Sequence, residues 1–218
     1  AIGLWYSGSK NIQQNRNFSI VEKDGKPVII DIPCGKESVK ARVWARRFGG
    51  SVHLLLLDTN IPENSSENKI ITSHLYDSNF QTLANQEILL GIGGVRTLSA
   101  LGITPSVYHL NEGHTAFAAL ELLVRHMIDN KAQNTRIVLD DIKEKIIATK
   151  HTIFSLAGLN MSGVEFEGLV GPYCSESGIS LDEIYKLGEH KNDKKNFSTT
   201  QFLLNCAQRQ NGVSILHT

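Results

Sequence analysis

The hydrophobic pattern between residues 80 and 127 predicts a helix, a short strand, a polar turn and a second helix. Apolar residues in the first segment recur every three or four positions, which is the spacing of a helix with one buried face. These residues are Phe80, Ala84, Ile88, Ile92, Val95 and Leu98. Gly102 and Pro105 end this helix, and Val107, Tyr108 and Leu110 predict the strand. The second helix is predicted to bury Phe117, Leu120, Leu123, Val124 and Met127.

A polar turn, Asn111–Glu112–Gly113–His114, joins this strand to the second helix. Open α/β sheets bind ligands outside the carboxyl ends of their strands, so the position alone makes the turn a candidate binding site. The same residues also have a structural interpretation. In that interpretation Asn111 caps the helix, Glu112 satisfies amides of its first turn, and His114 is a partly buried filler. The sequence leaves both interpretations open.

Residues 1–60 read as a β-rich portion. Residues 28–33, 39–45 and 52–57 predict strands, the second because apolar and charged positions alternate and the third because it is almost continuously apolar. Residues 62–69 are polar and predict a surface loop, and residues 73–79 predict a second polar connection.

Strands and helices alternate in the remainder of the chain, which predicts a parallel sheet with helical crossovers. The predicted elements are helices over 137–147, 164–173 and 199–210, a capping box from Ser180 to Glu183, a charged loop over 189–195 and an apolar stretch at 213–216. A second strand leads into a polar turn at His151. A lone histidine after a strand is usually a core residue, but two such turns favour one shared pocket rim.

The charge balance excludes several classes of partner. Lys plus Arg and Asp plus Glu each number 22 of 218 residues, so nothing predicts attraction to nucleic acid or to an anionic membrane. The longest apolar runs are too short to span a bilayer. The three cysteines, Cys34, Cys174 and Cys206, form neither a disulfide framework nor a CxxC zinc pattern. A reducing compartment, the cytoplasm, is therefore predicted.

Two motifs that are similar to known chemical signatures fail on their spacing. Gly91–Ile92–Gly93–Gly94 has Arg96 where a dinucleotide-binding run needs glycine, and it lies inside a helical pattern, so close packing or a kink explains it better. His109 and His114 have the wrong spacing for a zincin pair. No nucleophile elbow is present, and neither a metal site nor a catalytic residue is predicted.

Longer segments carry a specific resemblance. Three of them strongly resemble bacterial α-glucan phosphorylases, the glycogen and starch phosphorylase family: LLLLDTNIPEN at 54–64, NQEILLGIGGVRTLSALGI at 85–103 and VYHLNEGHTAF at 107–117. HLYDSN before the central helix and KHT followed by AG at 157–158 support the assignment. The similarity extends over almost the whole chain in the expected order.

The resemblance implies an α/β fold, part of the N-terminal Rossmann-like domain of a GT-B glycosyltransferase with a β-rich N-terminal portion. Residues 1–218 would form an incomplete N-terminal domain, divided at residues 60 and 61, without the C-terminal cofactor domain. The implied reaction releases glucose 1-phosphate from glycogen, starch or maltodextrin with inorganic phosphate. Pyridoxal phosphate would be bound to a lysine outside this chain, and the parent would be a homo-oligomer.

The resemblance also assigns roles to individual residues. His151 corresponds to the histidine that serves the donor glucose. The turn beside that glucose pocket would consist of Asn111, Glu112 and His114. The mobile loop that gates the site would consist of Asp77, Ser78 and Asn79.

Two departures from the family pattern concern the sugar subsite. Residues 153–158, IFSLAG, replace a proline-containing P-x-P-A-G run and are one residue longer, and the spacer from Tyr6 to Phe18 is short. A second hypothesis is therefore a catalytically dead glucan-binding or interaction module built on the same fold. In either case the 218-residue chain alone is predicted to be inactive.

Overall fold

A computed structural model describes residues 2–5, 12, 17–75, 77–130, 135–152, 158–190 and 193–214. The chain divides into two compact units, Ala1–Ile103 and Thr104–Thr218. None of the helices in these described ranges is long and apolar enough to cross a membrane. The predictions for residues 153–157 and for the end of the apolar stretch, 215–216, fall outside the described residues, as does much of the spacer from Tyr6 to Phe18.

The first unit is built on a mixed sheet. Its strands are β1 (Ile2–Trp5), β2 (Ser19–Ile20), β3 (Glu22–Lys23), β4 (Lys26–Pro27), β5 (Ile29–Cys34), β6 (Glu37–Phe48) and β7 (Val52–Asp58). Its helices are α1 (Ser66–Lys69), α2 (Phe80–Ile88) and α3 (Gly94–Ala100), the last two joined by a π-helical segment, Leu89–Gly93. The five-stranded sheet runs β1-β7-β6-β2, with β5 also paired to β6. The predicted β-rich character of this portion is confirmed.

Strand β6 is central because β2, β5 and β7 all pair with it, and its sequence alternates between the two faces of the sheet. Val39, Ala41 and Val43 are buried on one face, as the period of two predicts. The neighbouring strand β7 is antiparallel to β6, with Val43 opposite Leu57. The predicted strands at 28–33 and 52–57 are confirmed within one residue.

The helix predicted from residue 80 packs its apolar stripe into the core, with a π-helical segment in the middle. A Cβ added at Gly93 would lie 2.9 Å from Ile32 Cδ1 and 3.0 Å from Leu57 Cδ1, so the glycine lets the helix approach the sheet closely. The close-packing interpretation of the glycine run is confirmed. Phe80 was wrongly placed on the buried face: it begins the helix and is exposed.

The prediction of a surface loop over 62–69 was wrong in part. Residues Ser66–Lys69 form the short helix α1, whose N-cap Ser65 accepts a hydrogen bond from the amide of Asn68. Asn64 is buried, because its side chain accepts from Lys40 N at 2.9 Å and donates to Lys40 O at 2.7 Å. A polar side chain can thus be buried when it supplies hydrogen bonds to backbone groups, here the amide and carbonyl of Lys40.

The second unit contains a parallel sheet and a small antiparallel one. Its strands are β8 (Tyr108–Asn111), β9 (Ile146–Lys150), β10 (Asn160–Ser162), β11 (Glu189–His190), β12 (Asp193–Ser198) and β13 (Arg209–Gly212). Its helices are α4 (Phe117–Asn130), α5 (Thr135–Lys143), α6 (Gly163–Ser177), α7 (Leu181–Gly188) and α8 (Thr199–Cys206), with a 3-10 turn at Gly113–Thr115. The parallel sheet has the order β13-β9-β8, which confirms the predicted crossover topology.

Several predicted boundaries in this unit were wrong. The helix predicted over 137–147 ends at Lys143, because Ile146 and Ile147 enter β9. The helix predicted over 199–210 ends at Cys206, and the strand that follows is Arg209–Gly212. Within the predicted charged loop at 189–195, residues 189–190 form strand β11 and residues 193–195 begin strand β12 of the antiparallel sheet, while residues 191–192 lie outside the described ranges. In each case strand pairing overrides a local pattern that favoured helix or loop.

The capping interpretation at the start of α7 is half right. Ser180 Oγ accepts from Glu183 N, as predicted. The Glu183 carboxylate, however, accepts a hydrogen bond from Thr135 Oγ1. A complete capping box is found instead at α6, between Ser162 and Glu165.

An aromatic cluster holds the antiparallel sheet against α6, α7 and α8. Phe166 stacks on Phe197 with ring centroids 4.1 Å apart, and Phe202 lies 5.7 Å from Phe197. Gly188, the last residue of α7, faces this cluster. A Cβ added there would lie 2.1 Å from Phe197 Cε2.

We expect Gly188→Ala to lower the free energy of unfolding by about 1–3 kcal/mol, because the added methyl forces the Phe197 ring to move within a packed core. Urea denaturation followed by near-ultraviolet circular dichroism measures the change. Gly168→Ala in helix α6 is the matched control, since no atom lies within 4 Å of its added Cβ. The control should gain about 0.5–1 kcal/mol from helix propensity. Equal effects of the two substitutions would contradict the packing argument.

Candidate functional site

The two polar turns singled out in the sequence lie side by side at the carboxyl edge of the parallel sheet. Strands β8 and β9 are paired in parallel, with Asn111 opposite Thr149. The backbone continues the pairing beyond the strand, since Glu112 N donates to Thr149 O at 2.9 Å. The turn after β8 and the turn after β9 therefore form one edge, the position at which α/β sheets bind ligands.

The side chains of His151 and Asn111 contact each other across this edge. His151 Nε2 lies 2.6 Å from Asn111 Oδ1, and both residues are exposed. Because a carbonyl oxygen only accepts, this contact makes Nε2 the donor and leaves Nδ1 of a neutral imidazole as an acceptor. The interpretation of His151 as a core histidine is wrong, since the side chain is not in the core.

Glu112 connects the two turns from below the surface. The residue is 7% exposed, and its Oε1 accepts hydrogen bonds from His151 N and from Thr152 N, the latter at 3.0 Å. The carboxylate does not cap the turn that follows it, where no side-chain cap bond exists. The helix-cap interpretation of Asn111 and Glu112 is therefore wrong, because both side chains bond to the neighbouring turn instead.

The backbone of Glu112 is held in a strained conformation, with φ 67° and ψ 170°. This region is essentially restricted to glycine and costs on the order of 1–3 kcal/mol for other residues. Among the residues that the structure describes, only Asp24 and Glu112 are non-glycine residues with positive φ. Strain of this kind persists only where surrounding bonds fix it, and it concentrates at functional sites.

His114 lies in the 3-10 turn that follows Glu112 and is half-buried. Burial lowers the pKa of His114 below its usual value, and the neighbouring Glu112 carboxylate opposes this shift. The lowered pKa favours the neutral imidazole near neutral pH. The buried-filler interpretation of this residue fits its position, and nothing about that position conflicts with a role beside a ligand.

Gly158 packs the segment that follows it against the site, a role that its sequence context did not predict. Its φ is +82°, and an added Cβ would lie 2.4 Å from Thr199 Oγ1 and 3.0 Å from Gly113 Cα. Thr199 Oγ1 also accepts a hydrogen bond from Leu159 N at 2.9 Å. The AG pair at 157–158 was the only sequence signal for this contact.

A row of hydrogen bonds crosses the same sheet and was also missed. His109 Nε2 lies 2.5 Å from Thr149 Oγ1, which in turn donates to Asn211 Oδ1 at 2.8 Å. The hydroxyl has one hydrogen, so His109 must be the donor in the first bond. Polar residues two apart in β8, His109 and Asn111, are the signal that could have predicted one polar face of this strand.

The residues predicted to form a gating loop lie in the first unit, before helix α2. Asn79 is the N-cap of that helix, where its Oδ1 accepts from Thr82 N at 3.0 Å. Asp77 Oδ1 accepts from Asn79 N at 2.8 Å. Ser78 lies between them, and the role of the three residues as a gate stays a prediction.

The cluster at the sheet edge does not fit a metal or pyridoxal phosphate. Across the described ranges, no group of three or more His, Cys, Asp or Glu side chains could hold a metal ion. Asn111, Glu112, His114 and His151 include no primary amine for a Schiff base. A carboxylate would also repel the cofactor's phosphate. Residues outside this cluster would have to bind the cofactor.

The fold is similar to that of a known glycosyltransferase. The catalytic domain of starch synthase IV from Arabidopsis thaliana, solved bound to ADP and acarbose, aligns with a TM-score of 0.54 over 89% of this chain and 34% of that one, at 11% identity. At this identity the likeness concerns the fold alone. It confirms the predicted α/β architecture of the GT-B type.

The sequence relatives are more specific. The chain is 32% identical over 214 residues to a glycogen phosphorylase of Mycobacterium tuberculosis (strain CDC 1551 / Oshkosh) and 34% identical over 199 residues to a maltodextrin phosphorylase of Thermococcus litoralis. A glycogen phosphorylase of Aquifex aeolicus is 29% identical over 207 residues. Each alignment includes 91% of this chain, which spans about a quarter of the length of these relatives (24%, 23% and 28%). No protein-family model matches the chain. The predicted resemblance to α-glucan phosphorylases is confirmed.

Proposed function

We propose that this chain is part of the N-terminal domain of an α-1,4-glucan phosphorylase, an enzyme that releases glucose 1-phosphate from glycogen, starch or maltodextrin. Residues 1–60 would be its β-rich portion and residues 61–218 its α/β portion. Within that enzyme the turns after β8 and β9 would contribute to binding of the terminal glucosyl unit. Similarity to phosphorylases over 91% of the chain supports the reaction class.

The observation that carries the binding role is the pairing of His151, Asn111 and Glu112 at one sheet edge. Asn111 Oδ1 accepts a hydrogen bond from Nε2 of His151. Nδ1 of the neutral imidazole is therefore an acceptor that can face a ligand. A sugar hydroxyl is both a donor and an acceptor, and it suits such a group without requiring charge. In this arrangement Asn111 orients the imidazole of His151. Glu112 fixes the backbone of His151 and Thr152 by accepting hydrogen bonds from both amides.

The remaining features of the proposal follow from the relatives and from the cysteines. Pyridoxal phosphate in the whole enzyme would be bound by a lysine outside this chain, and the phosphate co-substrate by groups other than this cluster. Cys34, Cys174 and Cys206 are free and buried, which is compatible with a reducing compartment such as the cytoplasm. The gating role of Asp77, Ser78 and Asn79 and a homo-oligomeric state belong to the same proposal.

We expect the 218-residue chain alone to release no glucose 1-phosphate from maltoheptaose. Phosphorolysis needs charge stabilisation on the attacking phosphate and a proton donor for the glycosidic oxygen, and the resemblance assigns both to residues outside this chain. The assay compares the purified chain with a heat-killed sample and with the full-length protein. Activity of the isolated chain above the heat-killed control would refute this expectation.

The same assay distinguishes the proposed phosphorylase from the second hypothesis, a catalytically dead glucan-binding or interaction module. A full-length protein that forms glucose 1-phosphate, and whose pyridoxal phosphate can be measured by its absorbance, supports the proposed function. A full-length protein that binds maltoheptaose but forms no product with added cofactor and phosphate would support the second hypothesis.

A further inference from the structure

Gln86 is a fully buried polar residue of helix α2 that bonds to the connection preceding this helix. The residue is 0% exposed. Its Nε2 donates to Ile71 O at 2.8 Å and to His74 O at 2.7 Å, and its Oε1 accepts from Asp77 N at 3.4 Å. The two carbonyls need donors, so the NH₂ group of Gln86 must be the end that faces them. One side chain therefore bonds to three backbone groups between residues 71 and 77.

The connection after Thr72 is not held in place by burial of its own side chains. Among the described residues of the range 73–80 none is buried, and Leu75 is 51% exposed. The start of the connection is fixed, because Thr72 is buried and its Oγ1 accepts from Thr59 N at 3.2 Å. Segments with few buried apolar contacts open locally at a low cost in free energy. The position of this segment therefore depends on hydrogen bonds, and those from Gln86 hold it against the interior.

The far end of the connection is bonded to the start of the same helix. Asp77 Oδ1 accepts from Asn79 N at 2.8 Å, and Asn79 caps helix α2 by accepting from Thr82 N at 3.0 Å. Asn79 and Gln86 lie about two helical turns apart, which places them on the same side of the helix. Asp77 joins the two anchors, since its amide donates to Gln86 and its carboxylate accepts from the amide of Asn79.

We propose that Gln86 is a positioning residue, which holds the segment Asp77–Ser78–Asn79 in one arrangement before a glucan binds. This inference rests on the proposed function, which gives that segment its gating role. Because its side chain is fully buried, Gln86 acts through the backbone of Asp77 and not by touching the substrate. A segment that is already ordered loses less conformational entropy on binding than one that must become ordered. Gln86 therefore sets the glucan concentration at which the enzyme works, and not the rate of its chemical step.

Gln86→Met in the full-length protein is the decisive variant, because methionine has a similar volume but no strong donor or acceptor. Hydrogen exchange, measured by mass spectrometry, should accelerate about tenfold or more over residues 73–79, since the bonds from Gln86 are lost. Exchange in strands β5 and β7 should stay as in the wild type, which shows that the protein is folded. In phosphorolysis the KM for maltoheptaose should rise about three- to tenfold, while kcat stays within about twofold of the wild type.

Two further variants calibrate this result. In Gln86→Glu the burial of the side chain favours the neutral carboxyl group, which accepts one hydrogen bond and donates one. Its exchange rate over residues 73–79 and its KM should therefore lie between those of the wild type and Gln86→Met. Gln81→Met is the matched control, because Gln81 lies on the same helix and its exposed side chain donates to Asn85 Oδ1 at 3.1 Å, within the helix. It should change neither the exchange rate nor KM.

Three outcomes would overturn the inference. Wild-type exchange over residues 73–79 in Gln86→Met would show that the bonds from Gln86 do not hold this segment. Faster exchange with unchanged KM would reduce Gln86 to a structural residue. Absence of phosphorolysis by the wild-type protein would reject the proposed function and, with it, the kinetic role of Gln86, and this result is recognisable before any variant is made.

Discussion

We expect replacement of His151 with alanine in the proposed full-length phosphorylase to lower kcat/KM for phosphorolysis of maltoheptaose by about one to two decades, while the melting temperature hardly changes. The loss follows from a glucose hydroxyl that the proposed complex would leave without its partner, which costs about 1–3 kcal/mol once the bound sugar is shielded from water. The side chain of His151 is exposed and contacts Asn111 Oδ1, so its removal leaves no cavity in the core. The backbone bond from His151 N to Glu112 survives, because alanine keeps the amide.

Kinetics and melting must be measured on the same preparation, with pyridoxal phosphate content determined in parallel. Cofactor content should not change, since the proposal assigns its lysine to another part of the enzyme. His126→Ala is the matched control: this histidine lies on helix α4 and pairs with Asp141 at 3.1 Å. An exposed pair of this kind contributes about 0–1 kcal/mol, and its loss should not alter kcat/KM. A lower melting temperature with unchanged kcat/KM in His151→Ala would mean that the histidine serves the fold.

The elements that depend on local periodicity were predictable from the sequence. In helix α4, Phe117, Leu120 and Leu123 are all fully buried, as their spacing requires. The first predicted helix ends as expected at Gly102, whose φ is +69° and whose neighbour Ile103 donates to Leu98 O. Such signals act within a few residues, so one sequence suffices to recognise them.

The elements that failed depend on partners distant in the chain. Residues 189–195 are charged and predict a loop, yet Glu189 pairs with Phe197, and Phe197 pairs in turn with Met161. Gln210 continues a helical pattern, yet it lies opposite Ala148 in a parallel strand. Neither pairing can be recognised from the neighbouring sequence, because tertiary contacts decide the conformation of such short segments.

The candidate site was predicted as a location but not as an arrangement. The alternation of strands and helices was enough to infer that the turns at Asn111 and His151 share an edge. Nothing in the sequence indicated that Glu112 would bond to an amide 39 residues further along the chain or adopt a positive φ. That contact needs the parallel register of β8 and β9, which is fixed by packing of the whole unit.

Gly158→Ala should strongly destabilise the second unit, because it combines a steric clash with a positive φ. The added Cβ would lie 2.4 Å from Thr199 Oγ1 and 3.0 Å from Gly113 Cα, and the φ of +82° disfavours any side chain. The conformational cost is about 1–2 kcal/mol, and overpacking adds about 1–3 kcal/mol. We expect the free energy of unfolding to fall by about 2–5 kcal/mol, as the sum of those two contributions.

Two comparisons separate these contributions in urea denaturation. Gly178→Ala carries only the conformational cost, since its φ is +69° and no atom lies within 4 Å of the added Cβ. In a Thr199→Ala background the closest clashing atom, Oγ1, is absent, so Gly158→Ala should cost less there than in the wild type. If Gly158→Ala costs no more than Gly178→Ala, the close approach of residue 158 to Thr199 and Gly113 is refuted. Because Gly113 directly follows Glu112, a confirmed clash would also explain why a glycine at 158 is needed for the geometry of the candidate site.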